Sequence, residues 1–98
     1  MKAAEVIAVL RAHKSGLRAR GVARAALFGS TVRDEAGPES DIDIMVELDP
    51  AAAVDLYDYA GIKQFIAGLF TGPVDVVNRA SLKAHVRPAA ERDAVYAF

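Results

Sequence analysis

The chain has 98 residues, 53% of them hydrophobic, with twelve basic and thirteen acidic side chains for a formal net charge of -1. That length and apolar share support one core, but not a core plus a separate substrate-binding domain, so residues 1–98 are expected to form a single domain. The charge balance lacks the basic excess of a nucleic-acid footprint, and no direct nucleic-acid binding is expected, although Arg18, Arg20, Arg24 and Arg33 fall close together. Without cysteine there is neither a disulfide framework nor a thiolate metal site. No apolar run approaches the roughly 20 residues of a membrane span. Met1-Lys2-Ala3-Ala4-Glu5 places an acid where a signal peptide needs an apolar run. The expectation is a soluble, cytoplasmic protein with no membrane contact.

From Lys2 to Arg20, Val6, Val9, Leu10 and His13 recur at helical spacing with Leu17 further on, and Gly21 supplies the stop. Val22 to Phe28 is a short apolar run between two glycines and reads as a buried strand, against the low strand preference of its alanines. Ser30 to Arg33 suggests one helical turn, and Asp34 to Ser40 is a polar loop with Gly37 and Pro38 as breakers. Ile42, Ile44, Val46 and Leu48 then alternate with Asp41, Asp43, Met45 and Glu47, the period of a strand. Asp49-Pro50 closes it. A second helix is predicted from about Ala52 to Phe70, with Ile62, Phe65, Ile66 and Leu69 on one face. Thr71-Gly72-Pro73 is a turn, Val74 to Val77 a short strand, and Ala80 to Phe98 a helical tail broken near Arg87-Pro88. The order helix, strand, strand, helix, strand, helix predicts an α/β (α+β) fold in which helices cover a small mixed β-sheet.

Asp41 and Asp43 stand two apart on a strand, so both carboxylates emerge on one face while Ile42 and Ile44 anchor the other. Oxygen ligands of this kind suit Mg²⁺ with part of its water shell retained. A pair of such ions about 4 Å apart clamps the attacking and leaving oxygens of an in-line displacement at phosphorus. Packed like charges also repel, which makes the pair costly without a cation. Asp75, the acid of the other short alternating strand, would join them if the two strands pair, and could then accept the proton of an attacking hydroxyl. Gly29-Ser30 follows a strand, where a glycine allows close backbone approach and free amides at a helix start favour phosphate. Arg33 lies one turn further on.

Each feature has a plainer reading. An isolated Asp-x-Asp also suits a solvated strand edge, a Gly-Ser pair a turn, and Asp75 a surface acid. The combination points to chemistry: Gly-Ser after a strand, ten intervening residues, Asp-x-Asp opening an alternating strand, then a strand acid after a helix. His13 and His85 read as packing or boundary residues, Phe65, Phe70 and Phe98 as core. Tyr57 and Tyr59, with Asp55 and Asp58, are expected to serve helix-surface packing, and Glu47 lies too far along its strand to join the site.

This pattern, Gly29-Ser30-Thr31-Val32-Arg33 through Ser40 to Asp41-Ile42-Asp43, with Asp75 in Pro73-Val74-Asp75-Val76-Val77, resembles the DNA polymerase β-like nucleotidyltransferase superfamily. Within it the chain is most similar to the minimal nucleotidyltransferases, or MNT proteins, over nearly its whole length. The resemblance implies that Gly29 and Ser30, with Arg33, hold the triphosphate of ATP. It implies that Asp41, Asp43 and Asp75 bind two Mg²⁺ ions, with Asp75 the general base. It further implies a partner, a HEPN-domain ribonuclease toxin, which MNT antitoxins silence by transferring AMP onto a tyrosine, and a hetero-oligomer between the two. Two other readings stand beside it: an antitoxin that neutralises its partner by binding alone, and a nucleotidyltransferase for a small molecule or RNA end. The small size disfavours the last, since those enzymes usually add a domain for the acceptor.

Overall fold

The computed structural model describes residues 2–29, 42–82 and 87–98. The predicted first helix is two helices, α1 (Ala3–Ala12) and α2 (Lys14–Ala19). The break falls at His13. Its backbone N–H donates to Leu10 O, an i−3 bond that tightens the turn, while its Nδ1 lies 2.9 Å from Val9 O. Its ring meets Phe65 edge-on, 6.1 Å between centroids, so this histidine is a packing residue as expected. Val6, Leu10 and Leu17 are fully buried, so both helices keep their apolar stripe on the sheet despite the break.

Gly21 ends α2 with φ +101°, a region open to glycine at little cost. A Cβ there would also stand 2.5 Å from Val54 Cγ2. Its carbonyl accepts from Asp49 N–H at 2.9 Å. Strand β1 (Val22–Phe28) follows, with the predicted limits. It is a central strand, antiparallel to β2 (Ile42–Leu48) on one side and to a C-terminal strand on the other. Ala25 and Ala26 are both completely buried, one on each face. That explains the alanines: a strand covered on both sides by close-packed neighbours takes small side chains that a half-exposed strand would not favour.

Residues Ala52 to Phe70 do not form one helix. Pro50–Ala52 make a 3₁₀ turn capped by the Asp49 side chain, and Ala53 takes a left-handed φ of 50°. The helix α3 (Leu56–Ala67) begins later, at a reciprocal capping box: Asp55 accepts from Asp58 N–H at 2.8 Å, and Asp58 accepts from Asp55 N–H at 3.2 Å. The two acids are therefore helix-start signals rather than surface decoration. Ile62 and Ile66 carry α3 into the core.

The α3 crossover delivers β3 (Val74–Asn78) parallel to β2 at the sheet edge. The tail departs most from expectation. After a 3₁₀ turn at Arg79–Ser81, α4 (Arg87–Asp93) starts where a break was predicted, since Pro88 falls in its first turn, where proline is tolerated. The chain then ends in β4 (Val95–Tyr96), pairing Tyr96 with Ala26 and Val95 with Leu27. Two residues are too few to show alternation. The sheet order β3-β2-β1-β4, with one parallel and two antiparallel pairings, is the predicted mixed sheet.

Ile42, Ile44, Val46, Val76, Ala25 and Leu27 form the main core under α1, α2 and α3. On the opposite face Ala26 and Met45 are fully buried and Ala90 of α4 nearly so. At the far end of that face Glu47 accepts from Tyr96 O–H at 2.7 Å and lies 3.8 Å from Arg24 Nη1 and 4.0 Å from Arg79 Nη1. Arg79 also pairs with Glu91 of α4. Glu47 thus ties β4 and the segment after β3 to β2, which agrees with its exclusion from the site. Arg18, Arg20 and Arg24 stack on Phe98, Phe65 and Tyr96, so each guanidinium is packed on an aromatic ring.

Two glycine substitutions separate backbone strain from loss of freedom. Gly21→Ala should destabilise by roughly 1–3 kcal/mol, through its positive φ and the Val54 contact. Gly72→Ala, where a Cβ meets nothing within 4 Å, should change stability by less than about 0.5 kcal/mol. Urea unfolding of both variants checks the contrast.

Candidate active site

The register between β2 and β3 is the central geometric fact. Ile42 pairs with Val74, Asp43 with Asp75 and Ile44 with Val76. Adjacent strands lie about 4.8 Å apart and side chains of paired residues share a face, so Asp43 and Asp75 stand side by side. Ile42 N–H donates to Pro73 O at 3.0 Å, fixing the register just where both strands begin. Asp43 is half-buried and Asp75 exposed, so one carboxylate is walled in and the other open to solvent.

Antiparallel pairing on the other side of β2 sets Phe28 opposite Asp43. The next residue, Gly29, leaves the strand with φ +80°, and a Cβ built on it would lie 2.5 Å from Asp43 Oδ2 and 3.2 Å from its Cγ. The glycine backbone is therefore laid directly against the carboxylate. Any side chain here would strike the acid, so the glycine serves the site twice, through its φ and through its missing methyl. Of the residues singled out in the sequence, the structure brings together Gly29, Asp43 and Asp75. Ser30, Arg33 and Asp41 lie outside the described residues, as does His85.

One neighbour was misjudged. Tyr59 was assigned to helix-surface packing, and it does pack on the core as a half-buried residue of α3. Burial pushes its phenol above the usual tyrosine value, and the negative charge of Asp75 pushes it further. The signal was present: Tyr59 precedes Ile62 and Ile66 by three and seven residues and shares their stripe. Tyr57, by contrast, is 89% exposed.

The donor set has the chemistry of a hard-cation site. Among the described residues Asp43 and Asp75 offer carboxylate oxygens alone, the chain has no cysteine, and the His13 ring is engaged with Val9. No group of three His, Cys, Asp or Glu converges among the described residues. Two adjoining carboxylates against a bare glycine backbone fit Mg²⁺, which binds through one or two carboxylates plus water and substrate phosphates. Such an ion, when bound, offsets the repulsion of the carboxylates and the charge of a polyphosphate.

A four-stranded mixed sheet, with a glycine turn leaving one strand against an acid of the next and a second acid in register beside it, is a setting suited to metal-assisted phosphoryl transfer. The chain belongs to the nucleotidyltransferase domain family, whose pattern matches residues 10–97. It is 36% identical over 93 residues to the protein adenylyltransferase MntA of Thermococcus cleftensis, covering 94% of this chain and 92% of that protein. A solved chain described as a minimal nucleotidyltransferase superposes with a TM-score of 0.81 at 30% identity, over 97% of this chain and 95% of the other. A complex of a tri-AMPylated HEPN toxin from Shewanella oneidensis with an MNT antitoxin matches with a TM-score of 0.63 at 20% identity, over 94% and 71% of the chains, which shows a shared fold. The resemblance read from the sequence is borne out.

Tyr59 reports on its acidic neighbour. Because the fold favours its neutral phenol, the associated stability is intact below the ordinary tyrosine range and falls as pH rises through the elevated pKa. Tyr96 is raised as well, by burial and its hydrogen bond to Glu47, so ultraviolet titration near pH 10 should show two late-ionising phenols, of which one is lost in Tyr59→Phe. In Asp75→Asn that one should move toward the ordinary value without reaching it, because burial remains.

Proposed function

We propose that this chain is a protein adenylyltransferase, moving AMP from ATP to a tyrosine hydroxyl of a HEPN-domain ribonuclease toxin and so acting as its antitoxin. The observation that carries the reading is the in-register pair Asp43 and Asp75 against the backbone of Gly29. The kinship with a protein adenylyltransferase supports a protein acceptor. The AMPylated toxin bound to an antitoxin of this fold supports the class of partner.

In this reading Gly29, Ser30 and Arg33 hold the triphosphate, and Asp41, Asp43 and Asp75 hold two Mg²⁺ ions. Asp43, half-buried and braced by the glycine turn, is a fixed point of the site. Asp75, on an exposed edge strand, is the carboxylate that an incoming hydroxyl can reach, and it accepts the tyrosine proton. The phenolic oxygen forms a bond to the α-phosphorus as the bond to the bridging oxygen of the β-phosphate breaks, and pyrophosphate leaves. An open carboxylate suits an acceptor presented by another molecule, and a hetero-oligomer of the two proteins is the working form. No helix among the described residues is long and apolar enough to cross a membrane. The cytoplasm, which supplies ATP, is the proposed compartment.

Incubation with labelled ATP, Mg²⁺ and a purified HEPN protein should label the toxin, and EDTA should abolish the labelling until Mg²⁺ is restored. Asp43→Ala and Asp75→Asn should each lower the labelling rate by at least about 100-fold, as expected when a group acting directly on the transition state is removed. A toxin neutralised at full strength by Asp43→Ala would show that binding, not transfer, is the mechanism.

A further inference from the structure

The end of the sheet remote from Asp43 carries a surface that the reaction does not use. From Pro50 to Ile62 the chain has no lysine or arginine, and its acids, Asp55 and Asp58, are engaged as helix caps. Apart from the exposed carboxylates of these two caps, what this segment shows to solvent is largely apolar: Ala51, Ala52, Ala53 and Ala60 are exposed, Leu56 is 86% and Tyr57 89% exposed. The core-facing stripe of α3 is Ile62 and Ile66, while Leu56, Tyr57 and Ala60 make a second apolar strip on its outer side, flanked by Asp58 and followed by Lys63 and Gln64. A helix with two apolar faces has a second surface to cover.

Beside this tip lies a cleft of about 380 Å³, whose walls include Arg18, Arg20, Val54, Tyr57 and Asp58. The two guanidinium groups are set in place by stacking, Arg18 at 5.6 Å over Phe98 and Arg20 at 4.3 Å over Phe65. Neither forms an ion pair among the described residues, so their in-plane N–H donors remain available for carboxylates. The tip of α3 itself supplies the complement: Asp55-Leu56-Tyr57-Asp58 is an exposed apolar pair between two carboxylates. One patch thus holds both halves of a contact, and although Asp58 shares the cleft with the two arginines, no ion pair joins them within the chain among the described residues.

We infer that this face is a two-fold interface with a second copy of the chain. In an isologous contact each patch serves as both donor and acceptor. Leu56 and Tyr57 of one copy cover the alanine and Val54 wall of the other, while Asp55 and Asp58 meet the partner's arginine pair. Gly21 and Gly29 bracket β1, so the interface lies at one end of the strand and the paired acids at the other. Dimerisation leaves both active sites open.

Sedimentation equilibrium of the purified chain at about 100 μM, above the micromolar dissociation constant of a modest interface, should give twice the chain mass. Tyr57→Glu and Arg20→Glu should each weaken the dimer by about 30-fold or more, the loss expected of a hot-spot residue, with the far-UV circular dichroism unchanged. In the unaltered chain, hydrogen exchange at Leu56 to Gly61 should slow as concentration rises. A chain that stays monomeric at that concentration, with exchange independent of it, overturns the inference and leaves the face to a different protein. A dimer that persists in both variants overturns it by locating the contact elsewhere.

Discussion

The structure turns on the parallel register between β2 and β3. Strand side chains alternate with period two, so a slip of one residue would send Asp43 or Asp75 into the core and bring an isoleucine or valine to the outer face. The slip is prevented from both sides. Ile42, Ile44 and Val76 are buried under the helices, and Ile42 N–H is bonded to Pro73 O at the mouth of the pair. The packing that drives folding is therefore the same packing that holds two mutually repelling acids together. An edge strand and a central strand share the burden, which leaves one acid sheltered and the other open.

The outer face of the sheet is divided into three zones along the strands. At one end stand Asp43, Asp75 and the glycine turn. In the middle Ala26 and Met45 are closed off with Ala90 of α4. At the other end Glu47 gathers Tyr96, Arg24 and Arg79, and Arg79 continues to Glu91. The acids at the two ends thus have opposite surroundings. Glu47 has two arginines and a phenol, so its charge is matched within the chain and it is bound into the architecture. Around Asp75 the interaction named on α3 is with a phenol whose ionisation it opposes. An acid whose charge is balanced internally is structural. Asp43 and Asp75, in register with each other, offer carboxylate oxygens of the kind a hard cation takes.

Much of this was legible because it rests on period and capping, which a sequence displays directly. The alternation from Asp41 to Leu48 placed β2, described as Ile42–Leu48, and two glycines bounded β1 correctly. What escaped depended on context. The helix break at His13 comes from a side chain competing for backbone partners, which a continuous apolar stripe conceals. Asp55 and Asp58 were seen as surface acids although their three-residue spacing is that of a capping box. β4 is defined by its partner and not by its own two residues, and its tie to the sheet runs through Glu47, 49 positions away from Tyr96. Alanines in β1 argued against a strand only as long as the second covering layer was unknown.

The same reasoning bears on where an acceptor enters. β1 is flanked by β2 and β4, and α4 lies over the middle of the outer face, so that face is closed except at its ends. The end with Glu47 is filled by its own ion pairs. The other end has Asp75 exposed on β3, the outermost strand among the described residues. In the proposed reaction an acceptor hydroxyl can approach Asp75 from that edge, and a sheet edge does not demand that the substrate fit inside a pocket. A protein side chain on a protruding segment meets that requirement. The position of one aspartate at the rim of the sheet thus supports the proposed protein acceptor.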